Sequence, residues 1–344
     1  MIVVGYVLLY FLAILAEGLK RNQKQLLLMI VCLVLAFLAG TRDVTWNDTG
    51  AYVICFNNYT PAFNNLTEDS RPYGYSEMGF FYLGVLVKTF TSDVTLYFLF
   101  IALLSFYFLY KAIDKYCVYP LFGICAYISR FLLGRNFMQI RAGLSYAIIL
   151  VAVQYITKRD WKRYFAWVFV AYLFHHSALI AVPLYFICLI RIKKWHIIVG
   201  LVMAFIIAGF YSDVVRVLIT DRATDLNVTT YVGKGYQREY GLANPLIYFQ
   251  VFLLLAYTFN EKRMLSTTPH YFTIRNAYFY STLILITLSC YTALSGRTSS
   301  IFATLEMVII PSLVLMFQKR NRVIAYIVMG AALTTIFYMN YSGH

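Results

Sequence analysis

Charge is scarce in this sequence: only 13% of its 344 residues are Asp, Glu, Lys or Arg. With 61% hydrophobic residues and a mean hydropathy of +0.68, the chain has too little polar surface to cover a water-soluble globule, which excludes the soluble classes. The six cysteines, Cys32, Cys55, Cys117, Cys125, Cys188 and Cys290, are scattered and form no C-x-x-C pair, so neither a disulfide framework nor a zinc site is indicated. No H-x-x-E spacing accompanies His175 and His176, and adjacent histidines diverge, so no metal and no other cofactor is expected. Neither a basic n-region nor a small-residue cleavage site precedes Glu17-Gly18-Leu19-Lys20; the first apolar run is expected to be an uncleaved helix rather than a signal peptide. No internal repeat is visible.

What is present is a succession of apolar runs separated by short polar punctuation. A helix needs roughly 20 apolar residues to cross the hydrocarbon, which leaves room for about twelve crossings and no separate soluble domain. The expectation is an all-α, polytopic integral membrane protein forming a single membrane domain over residues 1–344. The net charge of +14 does not indicate nucleic acid, because the cations sit in tight clusters between apolar runs: Lys20 to Lys24, Lys111 with Lys115, Lys158 to Arg163, Arg191 to Lys194, Lys262-Arg263 and Lys319 to Arg322. Short basic loops of this kind are cytoplasmic anchors.

That rule gives a parity test. If Met78 to Phe90 crossed the membrane, every later basic cluster would face outward. If that segment is a short re-entrant or interfacial helix, all of them face the cytoplasm together, and this second assignment is adopted. The stretches 40–77 and 212–244 then become two larger outer loops. Arg42, Asp48, Glu77, Arg135, Arg141, His175, His176 and Arg297 all fall at the outer end of the bundle.

An ionisable group at membrane depth is costly unless it faces a polar cavity or a partner, so these residues are read as a site for an anion. Gly134-Arg135-Asn136 reads as a tight turn, with Asn136 capping a helix from Phe137 to Ile156 whose free N–H groups favour an anionic ligand. Arg130 and Arg141 lie within about two helical turns of it, a set that suits a diphosphate. The alternative is that Arg130 and Arg135 merely snorkel to lipid headgroups. In His175-His176-Ser177 a neutral imidazole can take a proton from a hydroxyl nucleophile, or it can simply hydrogen-bond a helix end. Asp43 and Asp48 could hold a divalent ion or pair with Arg42; Glu77 is either a second base or an arginine's partner. Glu306 lies in an apolar run and needs a partner, for which an arginine such as Arg297 is the natural choice. Arg222, Lys234 and Arg238, in the second outer loop, could cover a polyanionic lipid head or be simply solvated.

The succession GTR, NDTGAY, SEMGFF, RNFMQIRAGLSYAI, FHHSALIAVPLY and SGRTSSIFATLEMVIIP resembles the EpsG family of Wzy-like exopolysaccharide polymerases. The likeness covers most of the chain in order; IRAGLS and HHSALI are its most specific pieces, and Met78 stands where the family pattern often has proline. The resemblance implies a membrane glycosyltransferase that polymerises undecaprenyl-diphosphate-linked oligosaccharide repeats on the periplasmic side of the bacterial inner membrane, as an O-antigen or exopolysaccharide polymerase. Its partners would be that lipid-linked substrate and the bilayer, with a chain-length regulator and a flippase as candidates, and no nucleic acid. Under it Arg135, Arg141, Arg297, Arg42 and Arg130 would bind the diphosphate. His176 is the first choice for general base and Glu77 the second, with Asp48 a further catalytic candidate. A flippase for the same lipid, an O-antigen ligase and a non-catalytic assembly subunit are the alternatives.

Overall fold

The structure, a computed structural model, describes residues 2–58, 77–221 and 240–342. Among these residues all regular structure is helical. The helices are α1 (Ile2–Leu15), α2 (Arg21–Gly40), α3 (Thr49–Asn58), α4 (Met78–Phe90), α5 (Val94–Tyr116), α6 (Pro120–Tyr127), α7 (Ile140–Thr157), α8 (Trp161–Phe174), α9 (Val182–Leu189), α10 (Lys194–Phe210), α11 (Ser212–Asp221), α12 (Pro245–Phe259), α13 (Glu261–Leu265), α14 (Tyr271–Thr287), α15 (Thr292–Ala303), α16 (Glu306–Ser312) and α17 (Arg322–Ser342). A π-helical segment, Ile128–Met138, continues α6, and a 3-10 segment, His176–Ala181, leads into α9.

Among the described residues, four helical stretches are long and apolar enough to cross a membrane: Arg21–Gly40, Val94–Tyr116, Ile140–Thr157 and Lys319–Ser342. Two bent pairs raise the number to six: α10 with α11, bent by 80°, and α15 with Glu306–Met316, bent by 61°. Shorter apolar helices supplement these, so the chain is a helical polytopic membrane protein. Apolar side chains such as Leu33, Phe37, Ile198, Val202, Ile327 and Val328 stay exposed on the flanks, which a lipid environment satisfies and water does not.

Contacts define two ends. α2 and α5 run antiparallel: Gln25 donates to Asp114 at 2.8 Å near one end. At the other, Gly40 approaches α5 so closely that a Cβ there would stand 2.6 Å from the Leu99 Cα. The first end collects the basic clusters. A cavity of about 290 Å³ brings Arg21, Lys24 and Lys115 beside Thr267 and Pro269. Thr157 bonds Thr273 at 2.7 Å, Tyr185 donates to the Arg159 carbonyl, and Arg275 donates to the Ile192 carbonyl at 2.6 Å and to Glu261 at 3.2 Å.

The opposite end is built from the starts of α5 and α7, the end of α8 and both ends of α4. Gly79 packs on Leu173, Lys88 sits 4.6 Å above the Phe56 ring, and Phe80, Val85 and Val87 share an apolar cluster with Tyr52, Tyr97, Phe98 and Ile140. Both ends of α4 therefore make contacts at this end of the bundle.

Three sequence-based expectations are corrected here. The stretch 40–77 contains a helix, α3, and 212–244 contains α11, so neither is loop throughout. Gly134-Arg135-Asn136 is not a turn but lies inside the π-helical segment; the break falls at Gln139, and Asn136 accepts a hydrogen bond from Tyr127 (2.6 Å) instead of capping α7. The i→i+5 bond from the Gln139 N–H to the Gly134 carbonyl closes that winding at 2.9 Å.

Candidate functional site

Arg42 follows the last turn of α2 and is only 9% exposed. It donates from Nη1 to the Ala39 carbonyl (2.8 Å) and from Nε to Thr49 (3.2 Å), and its guanidinium stacks 3.8 Å from the centre of the Phe98 ring. Neither Asp43 nor Asp48 pairs with it; Asp43 accepts from the Thr45 N–H, and Asp48 is exposed with φ of +63° at the entry to α3. Nη2 of Arg42 is buried and has no hydrogen-bond partner among the described residues. Burial pushes its pKa down to about 10, which still leaves it cationic at neutral pH.

Glu77, 6% exposed, pairs with Arg141 Nη1, so of its two expected roles it takes that of an arginine's partner. Arg141 projects from the first turn of α7 and also reaches the Tyr52 hydroxyl of α3 (3.5 Å). The His175 Nδ1 lies 2.6 Å from the Ser177 hydroxyl and accepts from the Ser177 N–H at 3.2 Å, while Ser177 bonds the Tyr146 hydroxyl at 3.0 Å. With Nδ1 accepting, neutral His175 carries its proton on Nε2. Burial pushes the His175 pKa down to about 4; Glu77 acts against this, and Arg141, His176 and Arg297 act with it. Residues from four separate stretches of chain are thus gathered within electrostatic reach of one imidazole. His176, by contrast, is exposed, with its ring 5.1 Å from that of Tyr172.

Arg135 lies behind this group, 5% exposed, between the rings of Phe131 (4.6 Å) and Tyr146 (4.8 Å). It donates to the Thr304 hydroxyl and to the Ser300 carbonyl, just before the bend between α15 and α16. Arg130 and Arg135 are five residues apart, and π winding sets both against Phe131, which lies 5.3 Å from Arg130. Arg130 pairs with Glu306 at 2.9 Å, and Glu306, fully buried, also accepts from Tyr278 at 3.1 Å. The partner of Glu306 is therefore Arg130 and not Arg297. Arg297 projects from α15, half-buried, and takes part in the field at His175.

The structure thus brings Glu77, Arg141, His176 and Arg297 together, places Arg42 and Asp48 beside them through Thr49, and sets Arg135 and Arg130 progressively deeper. Arg222, Lys234 and Arg238 lie outside the described residues. Sequence reasoning missed Tyr52, Tyr146 and Ser177; a lone tyrosine among 31 gives no signal of its own. No group of three or more metal-ligating side chains exists among the described residues.

Residues 25–344 match the model of the EpsG family. The chain belongs to the EpsG family. No curated protein and no solved structure matches it. EpsG proteins are associated with Wzy-like polymerases, so the family points to a polysaccharide polymerase, and the helical bundle suits one that works in a membrane. GTR, SEMGFF, IRAGLS, HHS and SGRTSS, the pieces on which the EpsG resemblance rests, supply Arg42, Glu77, Arg141, His175, His176 and Arg297, residues distant in sequence and adjacent in space.

Proposed function

We propose that this protein polymerises undecaprenyl-diphosphate-linked oligosaccharide repeats, with its site facing the periplasm across an inner-membrane bundle of about twelve crossings. The observation that carries this reading is the convergence of Arg141, Arg297, Glu77, His175 and His176 at the end opposite the basic clusters, in a chain of the EpsG family. The periplasmic assignment is supported by charge: the clusters at the other end are those the positive-inside rule keeps in the cytoplasm.

In the proposed reaction the terminal hydroxyl of one lipid-linked repeat attacks the anomeric carbon of the growing chain. The bond from that carbon to the undecaprenyl diphosphate breaks, and the diphosphate leaves with the electron pair. Negative charge grows on the leaving group, so guanidinium groups fixed in a site of low dielectric lower the barrier. In this reading Arg141, Arg297 and Arg42 bind it; Arg135 and Arg130, engaged deeper within the protein, add positive charge from behind. His176 is the better base, because its ring makes no hydrogen bond to a described protein group, whereas one Glu77 oxygen is held by Arg141. Asp48 stands at the mouth as a further acid; Arg222, Lys234 and Arg238, outside the described residues, remain candidates from the sequence for contacts to the lipid head. No metal is needed, since diphosphate is already a good leaving group. A chain-length regulator and a flippase are the expected protein partners.

The test is the banding of lipid-linked polysaccharide from a deletion strain complemented with wild type, Arg141→Ala or His176→Ala at matched expression. Wild type should restore a ladder, and the deletion strain and both variants should give single-repeat product. A ladder in the deletion strain would overturn the polymerase reading; a ladder in the variants alone would overturn the site.

A further inference from the structure

Three parts of the candidate site meet at one buried side chain behind it. From the π-helical segment, the Arg135 guanidinium donates to the Ser300 carbonyl of α15 and to the Thr304 hydroxyl just past the end of that helix. The Ser300 hydroxyl in turn donates to the carbonyl of Arg297 at 2.7 Å. The same guanidinium lies 4.8 Å from the centre of the Tyr146 ring of α7, and Tyr146 is bonded through Ser177 to His175. The backbone of Arg135 is held as closely. A Cβ at Gly143 of α7 would overlap the Arg135 carbonyl oxygen, so glycine is what lets α7 seat there. Arg141 is two residues before Gly143 on that helix.

Arg135 is thus bonded on one side to the helix that carries Arg297 and packed on the other against the helix that carries Arg141. We infer that Arg135 is a positioning residue: it sets α15 against α7, and so fixes Arg297 relative to Arg141, without itself touching substrate. The inference rests on the polymerase reading and deepens it, since a cation that meets charge on a leaving diphosphate is effective only when held in place.

The residue type suits this task. Lysine carries the same charge, but its nitrogen ends one bond short of Nη1 and Nη2, and it has no plane to lie between the rings of Phe131 and Tyr146. A purely electrostatic contribution from Arg135 survives exchange to lysine; a positioning one does not.

The experiment is a mutant cycle on the purified full chain, following polymerisation of lipid-linked repeats and separating kcat from KM. Arg135→Lys should lower kcat about a hundredfold with KM unchanged, the scale of a site displaced by about 1 Å. In an Arg297→Gln background the same change should cost about twofold or less, because the residue it acts through is gone. Thr304→Val leaves Arg135 and its charge in place; it should lower kcat about tenfold, again only when Arg297 is present, and it carries the test if Arg135→Lys does not fold. Wild-type kcat in Arg135→Lys, or equal losses with and without Arg297, overturns the inference.

A second measurement does not depend on the chemistry. Gly50 lies on α3, whose Tyr52 packs with Ile140 of α7, and Gly296 lies on α15; at both a Cβ would meet open space. Spin labels on cysteines placed there, in a cysteine-free background, should give one narrow distance distribution that shifts or broadens in Arg135→Lys and Thr304→Val. An unchanged distribution overturns the positioning role. If wild type polymerises nothing, the polymerase reading falls, and the distance measurement alone decides whether Arg135 sets the two helices.

Discussion

His175 and His176 are neighbours with opposite fates. The first is pulled under the site by its bonds to Ser177 and stays neutral; the second faces outward beside Tyr172. His176→Ala should lower turnover by about a hundredfold or more, the scale of a lost general base. His175→Gln, which keeps an acceptor for the Ser177 N–H, should cost far less in a polymerisation assay on purified lipid-linked repeats. Arg141→Ala should reduce turnover by about 10²–10³-fold, as for other groups that stabilise charge only in the transition state. The depressed pKa of His175 also ties stability to pH. The unfolded chain binds a proton near pH 6.5 and the folded one only near 4, so the contribution is present above 6.5 and is lost as pH falls towards 4. The midpoint of thermal unfolding should drop over that window, and His175→Gln should flatten the drop. At this scale the sequence was legible in part. The ionisable residue types at one end announced a site, but nothing in two adjacent letters says which imidazole will be buried. Nor does a lone Glu306 say that its partner lies 176 residues away at Arg130.

That Arg130–Glu306 pair joins elements as well as residues, linking the π-helical segment to α16 with Tyr278 of α14 as the third member. Removing either charge alone leaves the other buried without its partner and should destabilise the fold by about 3–5 kcal/mol. The joint change Arg130→Met with Glu306→Leu should recover most of that loss in thermal melts. The π winding was invisible in the sequence, since IRAGLS reads as a helix start and GRN as a turn. Local propensity does not encode an i→i+5 register that depends on Arg135 finding the carbonyl of Ser300. The lie of α4 is expected on different grounds, because charge parity is a global constraint that a single misplaced crossing would break. Cysteines introduced at Thr41 and Asp93 in a cysteine-free background should therefore react with a membrane-impermeant maleimide from the same side. Labelling from opposite sides would mean that α4 crosses.

Across the whole molecule the two ends differ in how their charge is held. At one end lysines and arginines remain largely exposed, and at the other the arginines are sunk against Phe98, Phe131, Tyr146 and Glu77. High salt should accordingly weaken what the first end does at a membrane surface far more than what the second does to a ligand, because buried pairs are poorly screened. The exposed apolar flanks, with Leu33, Phe37, Ile198 and Val328, suit a lipid phase and not water. An enzyme embedded in a membrane meets a lipid-linked substrate in two dimensions. Its rate should therefore follow the mole fraction of lipid-linked repeat in the membrane or micelle. Diluting that lipid with inert detergent at constant bulk concentration should slow the reaction as surely as removing substrate.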